Sequence, residues 1–430
     1  MLKDKLFFFG IYSLLWPFRW LPQAVLELIG KGLGTFAFYI LPSYRKRALS
    51  NLSLATDLNL SPQEVRRTAK RSFQNLVITC LEYSKFSYKK DLSSLIICEN
   101  PSLAEELISQ KQGIVFFCGH QANWEVLFLD GTQRMPGVAI GRPIKNPFLY
   151  RWITSIRERF GGMMITPKQA MREGFRALKQ GKFLGIVGDQ GMPESGFLST
   201  FLGRRAWTSP APAILAYRAK CPLMVATTVR KKGKYYIHYS DPLYPDLTLP
   251  LEEETAFLMQ KALRLFEESV KKNPEQWLWQ HNRWKQETPK TVYYKYRHDS
   301  LLILLPQDMT SLLPHLSVFR EIYPSAFMTF MLPKNAPLLP LQDVEKIYYE
   351  KDSELFLQDL RYKLVFNLTP LKGLKHHFLK QSAFQVLALK DLYALAKKHP
   401  VSSEEPPLSD ILKRALCRPN TLWTTGNASQ

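Results

Sequence analysis

The chain is short of the residues that build metal and redox centres. Only five cysteines, Cys80, Cys98, Cys118, Cys221 and Cys417, are scattered over 430 residues, and none forms a C-x-x-C. That spacing excludes a zinc ribbon, a thioredoxin-type pair and a dense disulfide framework. The sparse, odd count fits a reducing compartment. Two catalytic signatures are also missing: no H-E-x-x-H for zinc and no G-x-S-x-G for a serine nucleophile. Acidic side chains are the other shortage. Against 58 Lys and Arg stand 37 Asp and Glu, a net charge of +21. A balance this basic calls for a polyanionic partner or surface: nucleic acid, anionic lipid headgroups or an acidic carrier protein. No base-reading basic helix or RNP-like aromatic motif occurs, which argues against nucleic acid.

What is present is enough apolar material for real cores. Hydrophobic residues make up 46% and charged residues 22%, so the chain is not globally disordered. At ~100–200 residues per domain, the length predicts two or three domains.

The amino end is the greasiest part. Lys3 and Lys5 precede an apolar run from Leu6 to Trp16, and Pro17, Arg19 and Pro22 interrupt it. A second run, Leu21 to Leu41, carries Glu27 and Lys31 and ends at Arg45, Lys46 and Arg47. A spanning helix needs ~20 apolar residues, and charges at mid-bilayer are expensive. No small-residue cleavage site follows either run. Trp16, Phe18, Trp20, Phe36, Phe38 and Tyr39 suit a membrane interface. Residues 6–40 therefore read as a retained anchor, either one tilted span or a bent interfacial hairpin. The bland alternative is a buried helical hairpin of a soluble core.

Beyond residue 45 the pattern alternates. Ser61-Pro62-Gln63-Glu64 is a capping box that predicts a helix from Pro62 into Glu82. Ile114–Cys118 is a continuous apolar run, the mark of a strand covered on both faces. Further strands are expected at Val138–Ile140, Met163–Thr166, Phe183–Val187, Leu223–Val229 and Tyr235–Tyr239. Helices are expected at Lys168–Gln180, Ser209–Ala219 and Leu251–Lys272. Such alternation implies an α/β sheet. A second α/β block begins near 299, with strands at Leu301–Leu305, Ala326–Leu332, Val344–Tyr349, Tyr362–Asn367 and Phe384–Leu389. Helices are expected there at Ser311–Ile322 and Leu408–Leu416, and no glycine-rich phosphate loop occurs in the block. The tail beyond 398 is rich in Ser, Glu and Pro.

The sharpest local feature is Gly119-His120-Gln121-Ala122-Asn123-Trp124-Glu125, directly after the strand 114–118. His120 falls at the carboxyl end of a strand, where open α/β sheets place their sites. Glu125 falls in the first turns of the next helix, near enough to pair with the imidazole. A carboxylate on one ring nitrogen fixes the tautomer and raises the basicity of the other. The free nitrogen then serves as general base for a hydroxyl attacking a thioester, with no covalent enzyme intermediate. The bland reading of a lone histidine is a satisfied structural side chain.

This heptad resembles the H-x4-D/E motif of the lysophospholipid acyltransferase superfamily, and its Glu variant resembles the bacterial lipid A late acyltransferases. Four further blocks match in the same order. Gly141-Arg142-Pro143-Ile144-Lys145-Asn146-Pro147 is similar to an R-P-x-x-N-P block. Arg157 and Arg159 match the arginine-containing helix that follows. Gly188-Asp189-Gln190-Gly191 matches a D-Q block. Pro274-Glu275-Gln276-Trp277-Leu278-Trp279 with His281, Arg283 and Trp284 matches the closing signature. The resemblance covers residues 1–287 and stops before the second block.

The resemblance implies an α/β fold with a mixed sheet flanked by helices. It gives a membrane anchor (1–44) and an acyltransferase domain (45–290); the strand–helix pattern beyond it reads as a smaller Rossmann-like α/β accessory domain (296–430). The implied activity is O-acyl transfer from an acyl carrier protein thioester to a hydroxyl of a 3-hydroxyacyl chain on a Kdo-bearing lipid A precursor. The implied place is the cytoplasmic face of the bacterial inner membrane, with anionic lipids as further partners and no metal or other cofactor. His120 and Glu125 are the expected catalytic pair. Arg142, Asn146, Arg157, Asp189 and Gln190 are expected at the substrate, with Lys145 and Arg159 as weaker candidates. Asp189 has a second expected use, as a salt-bridge partner of Arg157. The rivals are an acyl-CoA-dependent transferase acting on phosphatidylinositol mannoside or another glycolipid, and a silent scaffold that binds anionic lipid.

Overall fold

The expected strand Ile114–Cys118 is buried along its whole length, and the rest of the larger unit is arranged around it. In a computed structural model of the chain, residues 1–339, 341–399 and 406–419 are described. They divide into two compact units. The first comprises Met1–Leu41, Ala55–Asn59 and Arg66–Arg283; the second comprises Pro42–Leu54, Leu60–Val65 and Trp284–Gln430.

In chain order the helices and strands up to Arg283 are α1 (Leu2–Leu15), α2 (Gln23–Ile40), α3 (Pro42–Leu54), α4 (Pro62–Tyr88), β1 (Ile96–Cys98), α5 (Ser102–Ser109), β2 (Ile114–Cys118), α6 (Glu125–Arg134) and β3 (Gly137–Ile140). There follow α7 (Pro147–Arg157), β4 (Met163–Ile165), α8 (Ala170–Lys179), β5 (Phe183–Val187), β6 (Phe197–Phe201), β7 (Arg204–Thr208), α9 (Ala211–Ala219), β8 (Leu223–Lys231), β9 (Lys234–Tyr239) and α10 (Leu251–Lys272). Seven strands form one sheet in the order β1-β9-β8-β2-β5-β3-β4. All neighbours are parallel except β8 and β9, which form an antiparallel hairpin. The sheet is therefore mixed, as expected. β2 and β5 run side by side in register, Ile114 opposite Phe183 and Cys118 opposite Val187. Both strands thus end together, and so do the segments that leave them.

The capping box forms as its sequence predicts: Ser61 N–H donates to Glu64 Oε2 at 2.8 Å, and the Glu64 N–H returns to Ser61 Oγ. α4 runs six residues beyond the expected end, to Tyr88. The short strand β1 and the hairpin β6–β7 are additions to the sequence reading. The hairpin turns through Leu202 and Gly203, both at positive φ, the conformation a two-residue turn requires.

The amino-terminal apolar runs are two helices broken at the 3-10 turn Trp16–Arg19, not one span. Among the described residues no single helix is long and apolar enough to cross a membrane. α1 buries none of its residues. α2 buries one stripe, Leu26, Gly30, Gly34 and Phe38. The two glycines are needed there: a Cβ on Gly30 would lie 2.4 Å from Ile78 Cγ1, and one on Gly34 2.4 Å from Gln74 Cα. The remaining faces carry exposed Leu6, Phe7, Leu14, Leu28, Phe36 and Tyr39.

The second unit has β10 (Ser300–Leu304), α11 (Val318–Ile322), β11 (Phe327–Pro333), β12 (Val344–Tyr349), β13 (Leu364–Asn367), α12 (Leu374–Lys380), β14 (Gln385–Ala388), α13 (Leu389–Ala396) and α14 (Leu408–Leu416). Its five strands are all parallel, in the order β12-β11-β10-β13-β14. That is the doubly wound order of a Rossmann-like sheet. The expected helix Ser311–Ile322 is a 3-10 turn, Leu313–His315, followed by the short α11; Pro314 interrupts the ladder. The expected boundary between residues 44 and 45 falls inside α3, which groups with this unit: Ser50 Oγ donates to Arg361 O at 2.6 Å and Lys46 Nζ to Ala383 O at 2.7 Å. Much of the expected Ser/Glu/Pro-rich tail, at 400–405 and 420–430, lies outside the described residues.

Candidate active site

Two chain segments leave the sheet side by side. Gly119-His120 follows β2, Gly188-Asp189 follows β5, and Gly188 N–H donates to Cys118 O at 3.0 Å. This places Asp189, 69 residues away in sequence, against His120. His120 Nδ1 lies 2.7 Å from Asp189 Oδ1, and the His120 backbone N–H donates to Asp189 Oδ2 at 2.7 Å. Trp277 Nε1 donates to the same Oδ2 at 2.7 Å. Burial alone pushes the Asp189 carboxyl up, but the His120 charge and these hydrogen bonds outweigh it and hold it at about 2. An ionised carboxylate only accepts, so Nδ1 carries the proton and Nε2 presents its lone pair. Gln190 Nε2 sits 3.3 Å from that nitrogen.

The expected pairing of His120 with Glu125 is corrected by this geometry. Glu125 is the first residue of α6 and is buried. Its carboxylate is turned to Arg157, which donates from Nε at 2.7 Å and from NH2 at 2.6 Å. Tyr83 Oη donates to Glu125 Oε1 at 2.6 Å. Burial alone pushes the Glu125 carboxyl up; the guanidinium and these donors hold it below its ordinary value. The alternative of an Asp189–Arg157 bridge is corrected by the same contacts, since each residue has the other's expected partner.

The remaining predicted residues fall into two groups. Gln190 stands at His120. Asn146 is instead a helix cap: its Oδ1 accepts from the N–H groups of Phe148 and Leu149 at 3.0 Å, and its Nδ2 donates to Asp4 O at 2.8 Å. Arg157 has two of its nitrogens committed to Glu125. Arg142 and Lys145 are exposed. Arg159 donates to the Phe86 carbonyl and lies over the Phe160 ring.

The closing signature clamps the histidine loop. Leu278 N–H donates to His120 O at 3.0 Å and Ala122 N–H to Gln276 O at 2.6 Å. Ala122 itself sits at φ 48°, a conformation costly for a residue with a Cβ. Gly119 has no room for a side chain, because a Cβ there would lie 2.1 Å from Phe266 Cζ and 2.8 Å from Asp189 Oδ2. The His281 ring lies parallel to His120, centroids 6.4 Å apart. His120, Asp189, Gln190, Trp277, Leu278 and His281 together line a shallow recess.

Beyond Trp124 is a small apolar slot between the sheet and α6. Trp124 lines it, and the Trp124 ring lies edge-on to His120, centroids 4.8 Å apart. Cys118 is in its wall, and burial pushes that thiol well above its ordinary range. Sequence reasoning missed Tyr83, the anchoring role of Trp277 and the His120–Asp189 contact. The only available signal was the repeated apolar strand followed by Gly and a polar residue at 114–120 and 183–189.

Among the described residues no group of three or more His, Cys, Asp or Glu is placed to hold a metal ion. A base with a fixed tautomer beside an apolar slot suits proton abstraction from a hydroxyl near a hydrocarbon chain.

The sequence profile of the bacterial lipid A biosynthesis acyltransferases matches residues 1–286. The lipid A biosynthesis lauroyltransferase of Escherichia coli K12 is 26% identical over 280 residues, covering 64% of this chain and 89% of the relative. The lipid A biosynthesis palmitoleoyltransferase of the same organism and the lipid A biosynthesis acyltransferase of Shigella flexneri are each 24% identical over 282 residues, covering 64% of this chain and 90% of each relative. A match over this much of the chain, joined to the site geometry, makes it a member of the bacterial lipid A biosynthesis acyltransferase family and an O-acyltransferase.

Proposed function

We propose that this enzyme moves a fatty acyl chain from an acyl carrier protein thioester to a hydroxyl of a 3-hydroxyacyl chain on a Kdo-bearing lipid A precursor. The observation that carries the mechanism is the His120–Asp189 pair at the end of the apolar slot. His120 Nε2 takes the hydroxyl proton as the oxygen attacks the thioester carbonyl. Asp189 stabilises the imidazolium that results. The Gln190 amide, beside Nε2, donates to the tetrahedral oxyanion. The intermediate collapses, the C–S bond breaks, and the departing thiolate takes the proton back from Nε2. A thioester is activated enough that no acyl-enzyme is required.

Glu125 acts here as a positioning residue. It fixes Arg157 and the start of α6, and through them Trp124. Exposed Arg142 and Lys145 remain the candidates for the anionic headgroup of the acceptor; guanidinium forks suit phosphates and carboxylates.

The exposed apolar faces of α1 and α2 support a place at the cytoplasmic face of the inner membrane. α1, 14 residues long, extends ~21 Å, short of the ~30 Å hydrocarbon core. Both helices therefore fit a one-leaflet, interfacial attachment better than a span. The net charge of +21 fits an anionic leaflet, an anionic acceptor and an acidic carrier.

The test is a mass measurement of the lipid formed by purified enzyme from acyl carrier protein thioester and the Kdo-bearing precursor. The expected product is heavier by one fatty acid less one water, and absent with His120→Ala. An unchanged precursor mass with active, folded enzyme contradicts the proposal.

A further inference from the structure

The turn that carries His120 is held from α4 as well as by the closing signature. Asn75, Thr79 and Glu82 stand four and three residues apart on α4, so they share one helix face. Asn75 Nδ2 donates to Ala122 O and to Gln276 O, each at 3.2 Å. Thr79 Oγ1 lies 3.1 Å from Ala122 O and 3.0 Å from Asn75 O, and shares its proton between the two carbonyls. Glu82 Oε2 accepts from Asn123 Nδ2 at 2.8 Å. Asn123 Oδ1 accepts the Glu125 N–H at 3.3 Å, which ties the turn to the start of α6.

Arg230 of β8 joins these contacts into one network. Its NH2 lies 3.1 Å from Glu82 Oε2, and its NH1 donates to Asn75 Oδ1 at 2.6 Å. Its backbone N–H donates to Gln276 Oε1 at 2.7 Å, and its carbonyl accepts from Gln276 Nε2 at 3.0 Å. Tyr235 Oη also donates to Glu82 Oε2, while Oε1 accepts from Gln23 Nε2 at 2.6 Å. The pair is sealed from water, with the Glu82 side chain 1% and the Arg230 side chain 8% exposed.

We propose that Glu82 and Arg230, acting through Asn75, Thr79 and Asn123, are positioning residues of the acyl transfer that keep His120 against Asp189. The inference rests on the acyltransferase reading above and adds residues that lie outside the five sequence blocks. A buried ion pair stabilises a fold little better than well-packed apolar side chains of the same volume. Apolar side chains, however, offer no acceptor to Asn123 and no donor to Asn75. Those two amides matter because Ala122 sits at φ 48°, a conformation that persists only where its surroundings over-determine it. Its N–H is fixed by Gln276 and its carbonyl by Asn75 and Thr79. His120 meets Asp189 through both its backbone N–H and its ring, so a turn that relaxes displaces both contacts together.

The test separates turnover from stability in the full-length enzyme. In the double variant Glu82→Met, Arg230→Met both charges leave together, so neither is stranded in the interior. It should melt cooperatively, at a higher temperature than Glu82→Met alone. Well below that melt, single-turnover transfer should fall about 10²-fold, the scale of a ~1 Å misplacement of a reacting group. KM for thioester and acceptor should stay within about two-fold, since the lost contacts act on the reacting geometry and not on binding. The nitrogen-15 signal of the His120 Nδ1–H should shift in the same variant. Folded double variant with turnover within about two-fold of the unsubstituted enzyme overturns the positioning role and leaves the acyltransferase reading standing. If the double variant does not fold, Arg230→Lys decides: it keeps a charge beside Glu82 but loses the fork that also reaches Asn75. A fall of about ten-fold in kcat at unchanged KM supports the role, and an unchanged kcat overturns it. No transfer by the unsubstituted enzyme overturns both readings.

Discussion

Replacing Asp189 by Asn separates the carboxylate that the fold sets beside His120 from Glu125, the one that sequence placed there. Asp189 Oδ2 receives two donors, the His120 backbone N–H and Trp277 Nε1, while Oδ1 receives one, His120 Nδ1. An asparagine therefore keeps its amide oxygen at the Oδ2 position, where two hydrogen bonds hold it. Its NH2 then faces Nδ1, which must accept. The ring proton moves to Nε2, and the base nitrogen is blocked. The same change of tautomer in a His–Asp pair of another fold lowers turnover ~10⁴-fold. For Asp189→Asn we expect a loss of roughly 10³–10⁴ in kcat, about 4–5 kcal/mol of transition-state stabilisation. The fold should survive, because shape and two of three hydrogen bonds are kept. Glu125→Gln should behave differently. It leaves the Arg157 guanidinium, mostly buried beside it, without its counter-charge. Removing one partner of a buried pair costs about 3–5 kcal/mol of stability, so its signature is a lowered Tm with residual turnover below that Tm. Single-turnover transfer and thermal melts on both variants provide the comparison. The reasoning is refuted if Asp189→Asn stays within about ten-fold of the unsubstituted enzyme while folded Glu125→Gln is inactive.

Three further outcomes follow from the same contacts. Gly119→Ala should abolish transfer, because its methyl would have to displace Phe266 or the Asp189 carboxylate; circular dichroism with the activity assay checks that loss of function exceeds loss of fold. Asp189 is depressed from 3.8 to about 2, so it binds fewer protons folded than unfolded near pH 3. Its stabilising contribution is present above pH ~4 and is lost as pH falls toward 2, so the Tm gap between the unsubstituted enzyme and Asp189→Asn should shrink across that window. In the second unit, Lys363 and Asp299 form a buried pair 2.7 Å apart. Lys363→Met leaves Asp299 buried beside an apolar chain and should destabilise by about 3–5 kcal/mol, read as a shifted denaturation midpoint; restoration by Asp299→Leu in the double variant tests that charge, not packing, is responsible.

Much of the fold was legible because its signals are local. Ile114–Cys118 and Phe183–Val187 are uninterrupted apolar runs, and both are strands with the expected bounds. The capping box at Ser61 marks the start of α4, and His120 stands at the strand end where its sequence put it. What was not legible depends on contacts distant in sequence. Glu125 was paired with His120 because it is five residues away, but α6 begins at Glu125 and points its carboxylate at Arg157 and Tyr83. The true partner is brought in by the β2–β5 register, and a periodicity of two does not say which strands pair. Asn146 carried a motif match and proved to be a cap, a use equally natural for Asn before Pro147. The grouping of α3 with the second unit escaped because a linear boundary cannot describe a unit built from three separated stretches.

The central claim is that His120 holds its proton on Nδ1 against Asp189 and offers Nε2 as the base. Nitrogen-15 NMR of histidine-labelled enzyme, with His120 assigned by loss of its signals in His120→Gln, reads this directly. A protonated Nδ1 and a bare Nε2 in the neutral ring, exchanging places in Asp189→Asn, is the predicted result. A proton on Nε2 in the unsubstituted enzyme, or a tautomer indifferent to Asp189→Asn, contradicts it.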